Sequence, residues 1–246
     1  MFGERCFHNL WRKLVFWVGD IRRIKHFPFL TWDVHEHMIN YEECFEAMRL
    51  AKAGDIGLHR DLGYLSNIAI PGCFKHAFVF IAPNKIVEAV SEGVLLRHCF
   101  WPIRSDYSII LRPKNITPDE LKNAMRKAGS IVGCQYDADF KFDLEDEIKH
   151  FDLDDVRENL STWDGGFSCT EVAAFTWWHK KDDLRLFRKK VRGKLVIVAD
   201  DFINNSFEIV WLSKSVTLDV VQNLGLDEEG VSMIEEYWRK QSGVTD

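Results

Sequence analysis

The six cysteines, Cys6, Cys44, Cys73, Cys99, Cys134 and Cys169, show no CxxC or other paired spacing. That argues against a zinc ribbon or a disulfide framework and favours free thiols in a reducing, cytoplasmic setting. No apolar run approaches the length of a membrane span. The N-terminal apolar stretch is not a clean signal peptide, because Arg12, Lys13 and Asp20 interrupt it and no small-residue cleavage site follows. Repeats and low-complexity linkers are also missing. Nor is there an excess of positive charge: the formal net charge is −6, whereas a nucleic-acid partner calls for a basic face.

What the chain does have is 246 residues, 46% of them hydrophobic and 28% charged, enough to bury a substantial core. The expected organisation is a central domain over residues 50–215, flanked by helical extensions over 1–49 and 216–246. Residues 6–25 place Phe7, Leu10, Leu14, Trp17, Val18, Ile21 and Ile24 at helical spacing, with basic residues on the other face. Such a helix packs on the domain or lies at an anionic membrane surface, and peripheral membrane contact through 6–25 stays open as an expectation. A second helix is expected from Tyr41 to Ala53, ending at Gly54.

A meander of antiparallel strands should follow. Gly54 to Leu58 reads as a turn into a short strand, and Lys75 to Ile81 as a strand too apolar to have one wet face. Pro83-Asn84 turns it into Lys85–Ala89, Glu92-Gly93 turns again into Val94–Phe100, and Tyr107–Leu111 adds another strand. Thr117-Pro118-Asp119-Glu120 is a capping box with proline at the first helical position, predicting a helix that runs to Val132 and stops at Gly133. After an acidic segment, Asp137 to Glu158, the loop Trp163–Phe167 leads into an apolar helix opened by Ser168-Cys169-Thr170-Glu171. Strands at Leu195–Ala199 and Phe207–Leu212 and a helix over Asp227–Lys240 complete the expectation. That last helix should bury Met233, Ile234, Tyr237 and Trp238.

Cys169 is the residue with the clearest chemical promise. In the first turn of a helix, unpaired N–H groups and the positive end of the dipole favour thiolate over thiol. A nucleophile also needs a base and an orienting group. His76 opens one strand and Glu88 closes the strand that returns beside it, so the two can touch on one face of an antiparallel pair. Taken singly, each is better read as a strand-end histidine and a surface charge. Together with Cys169 they form a candidate nucleophile, base and orienter. Cys73 could line the same site, while Cys44, Cys99 and Cys134 read as small buried hydrophobes. His35 and His37 share a strand face, but nothing supplies further ligands at a recognisable spacing, so no metal and no cofactor is expected.

Gly54-Asp55-Ile56, Ser66-Asn67, Ile70-Pro71-Gly72, Lys75-His76-Ala77, Val87-Glu88-Ala89 with Gly93-Val94, Gly133 with Tyr136-Asp137, and Cys169-Thr170-Glu171 form an ordered set. Over roughly residues 50–212 this set resembles the YiiX/YebB-like proteins, circularly permuted papain-fold hydrolases related to NlpC-type peptidases and lecithin:retinol acyltransferase. The resemblance implies an α+β fold, an antiparallel sheet or barrel packed on helices, with the histidine strand preceding the cysteine helix. It assigns Cys169 as nucleophile, His76 as general base and acid and Glu88 as the polar third member, with Tyr136, Ser168 and Thr170 beside the substrate. The family usually carries serine after the cysteine, where this chain has Thr170. The implied activity is a thiol-dependent amidase or peptidase acting on a peptide- or lipid-like amide or ester. A lipid-directed acyltransferase or esterase, or a non-catalytic binding module, is the alternative.

Overall fold

The computed structural model describes residues 23–26, 29–31, 37–64, 67, 70–137, 166–187, 189–191 and 194–243. A short hairpin pairs β1 (Arg23–His26) with β2 (Phe29–Thr31). This corrects the C-terminal end of the helix expected over 6–25: at Arg23–His26 the backbone groups find partners in the extended Phe29-Leu30-Thr31 across Phe27-Pro28. Proline disfavours helix in the residue before it. The rest of that stretch lies outside the described residues.

Helix α1 (Tyr41–Leu50) starts on a capping box in which Asn40 accepts the Glu43 N–H at 3.0 Å. It stops three residues before the expected end. Asp55 Oδ2 takes the Lys52 N–H at 2.7 Å and Arg112 Nη2 donates to the Leu50 carbonyl at 3.1 Å, so groups needed for another turn are already engaged.

Six strands then form one antiparallel sheet: β3 (Ile56–Arg60), β4 (His76–Ala82), β5 (Lys85–Val90), β6 (Gly93–His98), β7 (Tyr107–Pro113) and, far downstream, β10 (Phe207–Leu212). The order is β10-β7-β3-β4-β5-β6. The strand expected to reach Phe100 ends at His98, where the Cys99 N–H turns to the Asn84 carbonyl at 3.1 Å and the short helix α2 (Phe100–Ile103) begins. Helix α3 (Pro118–Ser130) follows its capping box, with the Thr117 N–H donating to Glu120 Oε2 at 2.8 Å. Helix α4 (Cys169–Trp177) runs into a 3₁₀ turn, Trp178–Lys180. A small hairpin, β8 (Lys189–Val191) with β9 (Lys194–Val196), leads to a 3₁₀ turn at Ala199–Phe202 and then β10 (Phe207–Leu212). The strand expected at 195–199 is therefore cut short, because Asp201 caps the Val198 N–H at 2.7 Å and bends the chain. Helices α5 (Leu218–Asn223) and α6 (Glu228–Gln241) end the described chain. The former had no clear sequence signal, whereas the latter starts where Asp227 accepts the Gly230 N–H at 2.9 Å.

The fold is α+β, with six α-helices among the described residues. Both faces of the sheet are covered, as the unbroken apolar run in β4 requires. Ala77, Val79, Val87, Ala89, Ile109 and Leu111 face α3, α4 and the C-terminal helices. Phe78, Phe80, Ile86, Ile110 and Trp211 face α1. This alternation is the two-residue period of a strand buried on both sides. Met233 and Ile234 are buried as expected; Tyr237 and Trp238 are only partly so. No helix among the described residues is long and apolar enough to cross a membrane.

Candidate active site

The β4–β5 ladder sets the site. Its register ends at Phe78↔Glu88, although β5 itself continues to Val90 and stays paired with β6. Beyond that point β4 is out of the ladder, and the N-terminus of α4 enters beside it. The backbone N–H groups of Ala77 and Thr170 favour negative charge on the Cys169 sulfur, and the Lys75 carbonyl lies 4.0 Å from it.

Two residues before Phe78 comes His76, a diagonal neighbour of Glu88 across the pair. Its Nε2 meets Glu88 Oε2 at 2.9 Å. The His76 ring and the Cys169 side chain also act on each other, each stabilising the charged form of the other. Since Nε2 is held by the carboxylate, Nδ1 is the nitrogen left for the sulfur. Sulfur, imidazole and carboxylate thus form one chain of contacts.

Burial pushes the Cys169 thiol up, but the charge and hydrogen bond of His76, with the two N–H groups, outweigh it and the net shift is downward. Burial pushes His76 down, yet the Cys169 thiolate and Glu88 together lift it to about 10. Glu88 is almost fully buried; the cost of burial is exceeded by His76 and then by Arg97, so it stays ionised below its ordinary value. Arg97 Nη1 stands 3.5 Å from Glu88 Oε1 and is half exposed. The site therefore favours the charged forms of all three groups, thiolate, imidazolium and carboxylate, relative to their ordinary values. No other described cysteine resembles it: burial raises Cys44, Cys99 and Cys134 to about 11 each, and burial with the Asp200 charge raises Cys73 to about 12. Cys73 is fully enclosed in the loop before β4 rather than open to a substrate.

Tyr136 comes to the site through a local bridge. Gln135 pairs with Gly166, the Phe167 N–H donates to the Gln135 carbonyl at 2.9 Å, and the Asp137 N–H to the Phe167 carbonyl at 3.3 Å. A Cβ on Gly166 would lie 2.5 Å from the Asp137 nitrogen, so glycine is required for this approach. Burial, then the Cys169 and Glu171 charges, hold the Tyr136 phenol above its ordinary range. Ser168 is buried at the cap of α4, its N–H donating to Glu171 Oε2 at 2.6 Å. Its hydroxyl stands 3.5 Å from that of Thr170. Ser168 thus shapes the helix start that carries the sulfur.

Several neighbours had no signal in the sequence. His59 lies directly opposite His76 on β3, its ring centroid 4.8 Å away and edge-on. Burial, then the charges of His76 and His37, push it well below the ordinary imidazole range, which leaves it neutral beside a charged ring. A histidine in a five-residue strand is visible, but its cross-strand partner depends on a register set by distant elements.

His37 is not alone, contrary to the expectation from spacing: His37, Asp61 and Asp106 bring ligand atoms within 4.8 Å of one another. Both Asp106 oxygens already accept backbone N–H groups, from Met38 at 3.2 Å and Leu62 at 2.6 Å. His37 Nδ1 meets Asp61 Oδ1 at 3.3 Å. The group works as a latch that fastens residues 37–39 to the ends of β3 and β7. His35, which shares its sequence motif, lies outside the described residues, as does most of the acidic segment.

No protein-family model matches the chain, and no curated protein matches it. The functional reading therefore rests on the geometry of these residues.

Proposed function

We propose that the chain is a thiol-dependent hydrolase, an amidase or peptidase of the circularly permuted papain-like kind, with Cys169, His76 and Glu88 as its triad. One observation carries the reading: an imidazole held by a buried carboxylate at 2.9 Å and a helix-N-terminal cysteine stabilise each other's charged forms. A buried ionised Glu88 would be costly without a partner, and an imidazolium beside a thiolate is the resting state of a cysteine nucleophile.

The steps follow from the parts. The Cys169 sulfur attacks a carbonyl carbon, forming a C–S bond while the carbonyl π pair moves to oxygen. The N–H groups at the start of α4 are the proposed donors to the developing oxyanion. His76 gives its proton to the leaving amine or alcohol as the scissile bond breaks, leaving an acyl-thioester and neutral imidazole. That imidazole then takes a proton from water, whose oxygen displaces the sulfur and restores the ion pair. Glu88 fixes the ring orientation and stabilises its charge throughout. Tyr136, whose phenol feels the Cys169 charge, is the proposed substrate contact.

The test is selective alkylation. At about pH 6, where ordinary thiols of pKa ~8.5 are almost wholly protonated, iodoacetamide is expected to label Cys169 faster than the other cysteines by on the order of 100-fold. Peptide mapping reads the ratio. Uniform slow labelling would rule out a poised nucleophile and leave a binding module with the same framework.

A further inference from the structure

The histidine of the triad is delivered by a tight loop, and that loop is held from far downstream. Gly72 adopts φ +99, a conformation that favours glycine, and Cys73 and Phe74 beyond it are buried. Asp200, in the 3₁₀ turn Ala199–Phe202, reaches across more than a hundred residues of sequence to this loop. Its Oδ2 accepts the Cys73 N–H at 2.5 Å and its Oδ1 accepts the Phe74 N–H at 2.8 Å. A Cβ on Gly72 would stand 2.6 Å from Oδ2, so carboxylate and loop are already in close contact. Next in the chain is Lys75, whose N–H donates to the His59 carbonyl at 3.0 Å and whose carbonyl faces the Cys169 sulfur. His76 follows directly.

Each oxygen of one carboxylate thus takes one of two consecutive backbone donors, a charge-assisted fork that fixes the peptide plane between Cys73 and Phe74. Two residues later that backbone becomes the start of β4, which β3 holds on one side from His76 while the β5 ladder on the other side does not reach it until Phe78. The loop before it therefore shares with β3 the task of fixing His76 relative to Cys169. We propose that Asp200 is a positioning residue for the Cys169–His76 pair, clamping the loop that sets the imidazole against the sulfur. The inference rests on the thiol-hydrolase reading and names a further residue on which that site depends. Asp200 touches neither sulfur nor imidazole; it acts through the backbone of residues 73–75. The groups facing it are Lys75 and Cys73 from the loop and Asp201 from its own turn. Lys75 is also bonded to the Ile70 carbonyl, a second tie across the same loop.

Asp200→Asn keeps the shape but turns one acceptor into a donor, so one of the two backbone N–H groups meets an opposing N–H. The readout is the pH midpoint of Cys169 alkylation, with melting temperature measured in parallel. A merely structural role lowers melting and leaves the midpoint in place. Positioning moves the midpoint up towards that of an ordinary thiol by about one unit, which makes alkylation about tenfold slower below both midpoints. Gly72→Ala pushes the same loop from the other side with the carboxylate intact and is expected to move the midpoint the same way; it serves if Asp200→Asn folds poorly. Arg112→Ala, remote from the loop, is the control for lost stability and is expected to leave the midpoint where it is. An unchanged midpoint in a folded loop variant, against a lowered one in the wild-type chain, would overturn the clamp and leave the hydrolase reading standing. A wild-type Cys169 that titrates like an ordinary thiol would overturn both.

Discussion

Cys169→Ala is expected to abolish turnover of any amide or ester substrate, by roughly 10⁴-fold or more in kcat. The size follows from the role: the sulfur forms and breaks the covalent bond, and no neighbour can take its place. Cys73 is the cysteine nearest His76 in sequence, and burial beside the Asp200 charge holds its thiol at about 12. His76→Ala should approach the same loss, because it removes both the proton carrier and the cation that keeps the sulfur ionised. Glu88→Gln should cost less than the roughly 10²–10⁴-fold that a positioned proton-transfer group supplies, since it weakens orientation and deletes no reacting atom. The pH window has a definite sign. Cys169 is lowered and His76 raised to about 10, so the ion pair is lost as pH falls through the thiol's depressed pKa and again as pH rises through about 10. Activity should form a plateau between those limits. Single-turnover kinetics with reporter amides and esters, beside circular dichroism of each variant, would check the ranking.

Arg112→Ala is expected to destabilise the fold by about 3 kcal/mol without touching the triad. Asp55 is fully buried where α1 gives way to β3, and Arg112 on β7 donates to both its oxygens, at 2.8 Å from Nε and 2.7 Å from Nη2. Burial still pushes the Asp55 carboxyl up despite that pairing, so the pair does not fully offset the cost of enclosing the charge. Removing the guanidinium alone leaves that cost exposed. The same change made in an Asp55→Asn chain should therefore be much milder. A double-mutant cycle of urea midpoints separates the two cases, and equal costs in both backgrounds would mean that the pair is not coupled.

Local signals were legible where local chemistry decides. Thr117 and Glu120 cap α3 as their spacing requires, and Gly133, at φ +97, closes the segment after it. The turns at Pro83-Asn84 and Glu92-Gly93 place β4, β5 and β6 side by side, which is enough to make His76 and Glu88 neighbours. Boundaries failed where a distant partner takes a backbone group. Asp55 ends α1 early, and Asp201 bends the chain where a strand was expected. His59, Arg97 and Asp200 carry no local signal for the same reason: their partners are set by register and by contacts across long stretches of sequence, and their own neighbours in the chain carry no motif.

Pairing of a Cys169 thiolate with His76 underlies every step above, and the ultraviolet absorbance of that thiolate tests it most directly. Titrating the wild-type chain against Cys169→Ser should give a difference step well below ~8.5, the ordinary thiol value. In His76→Ala the step should move up towards that value. A difference spectrum that stays flat until ~8.5, or a step that ignores the loss of His76, would contradict the account.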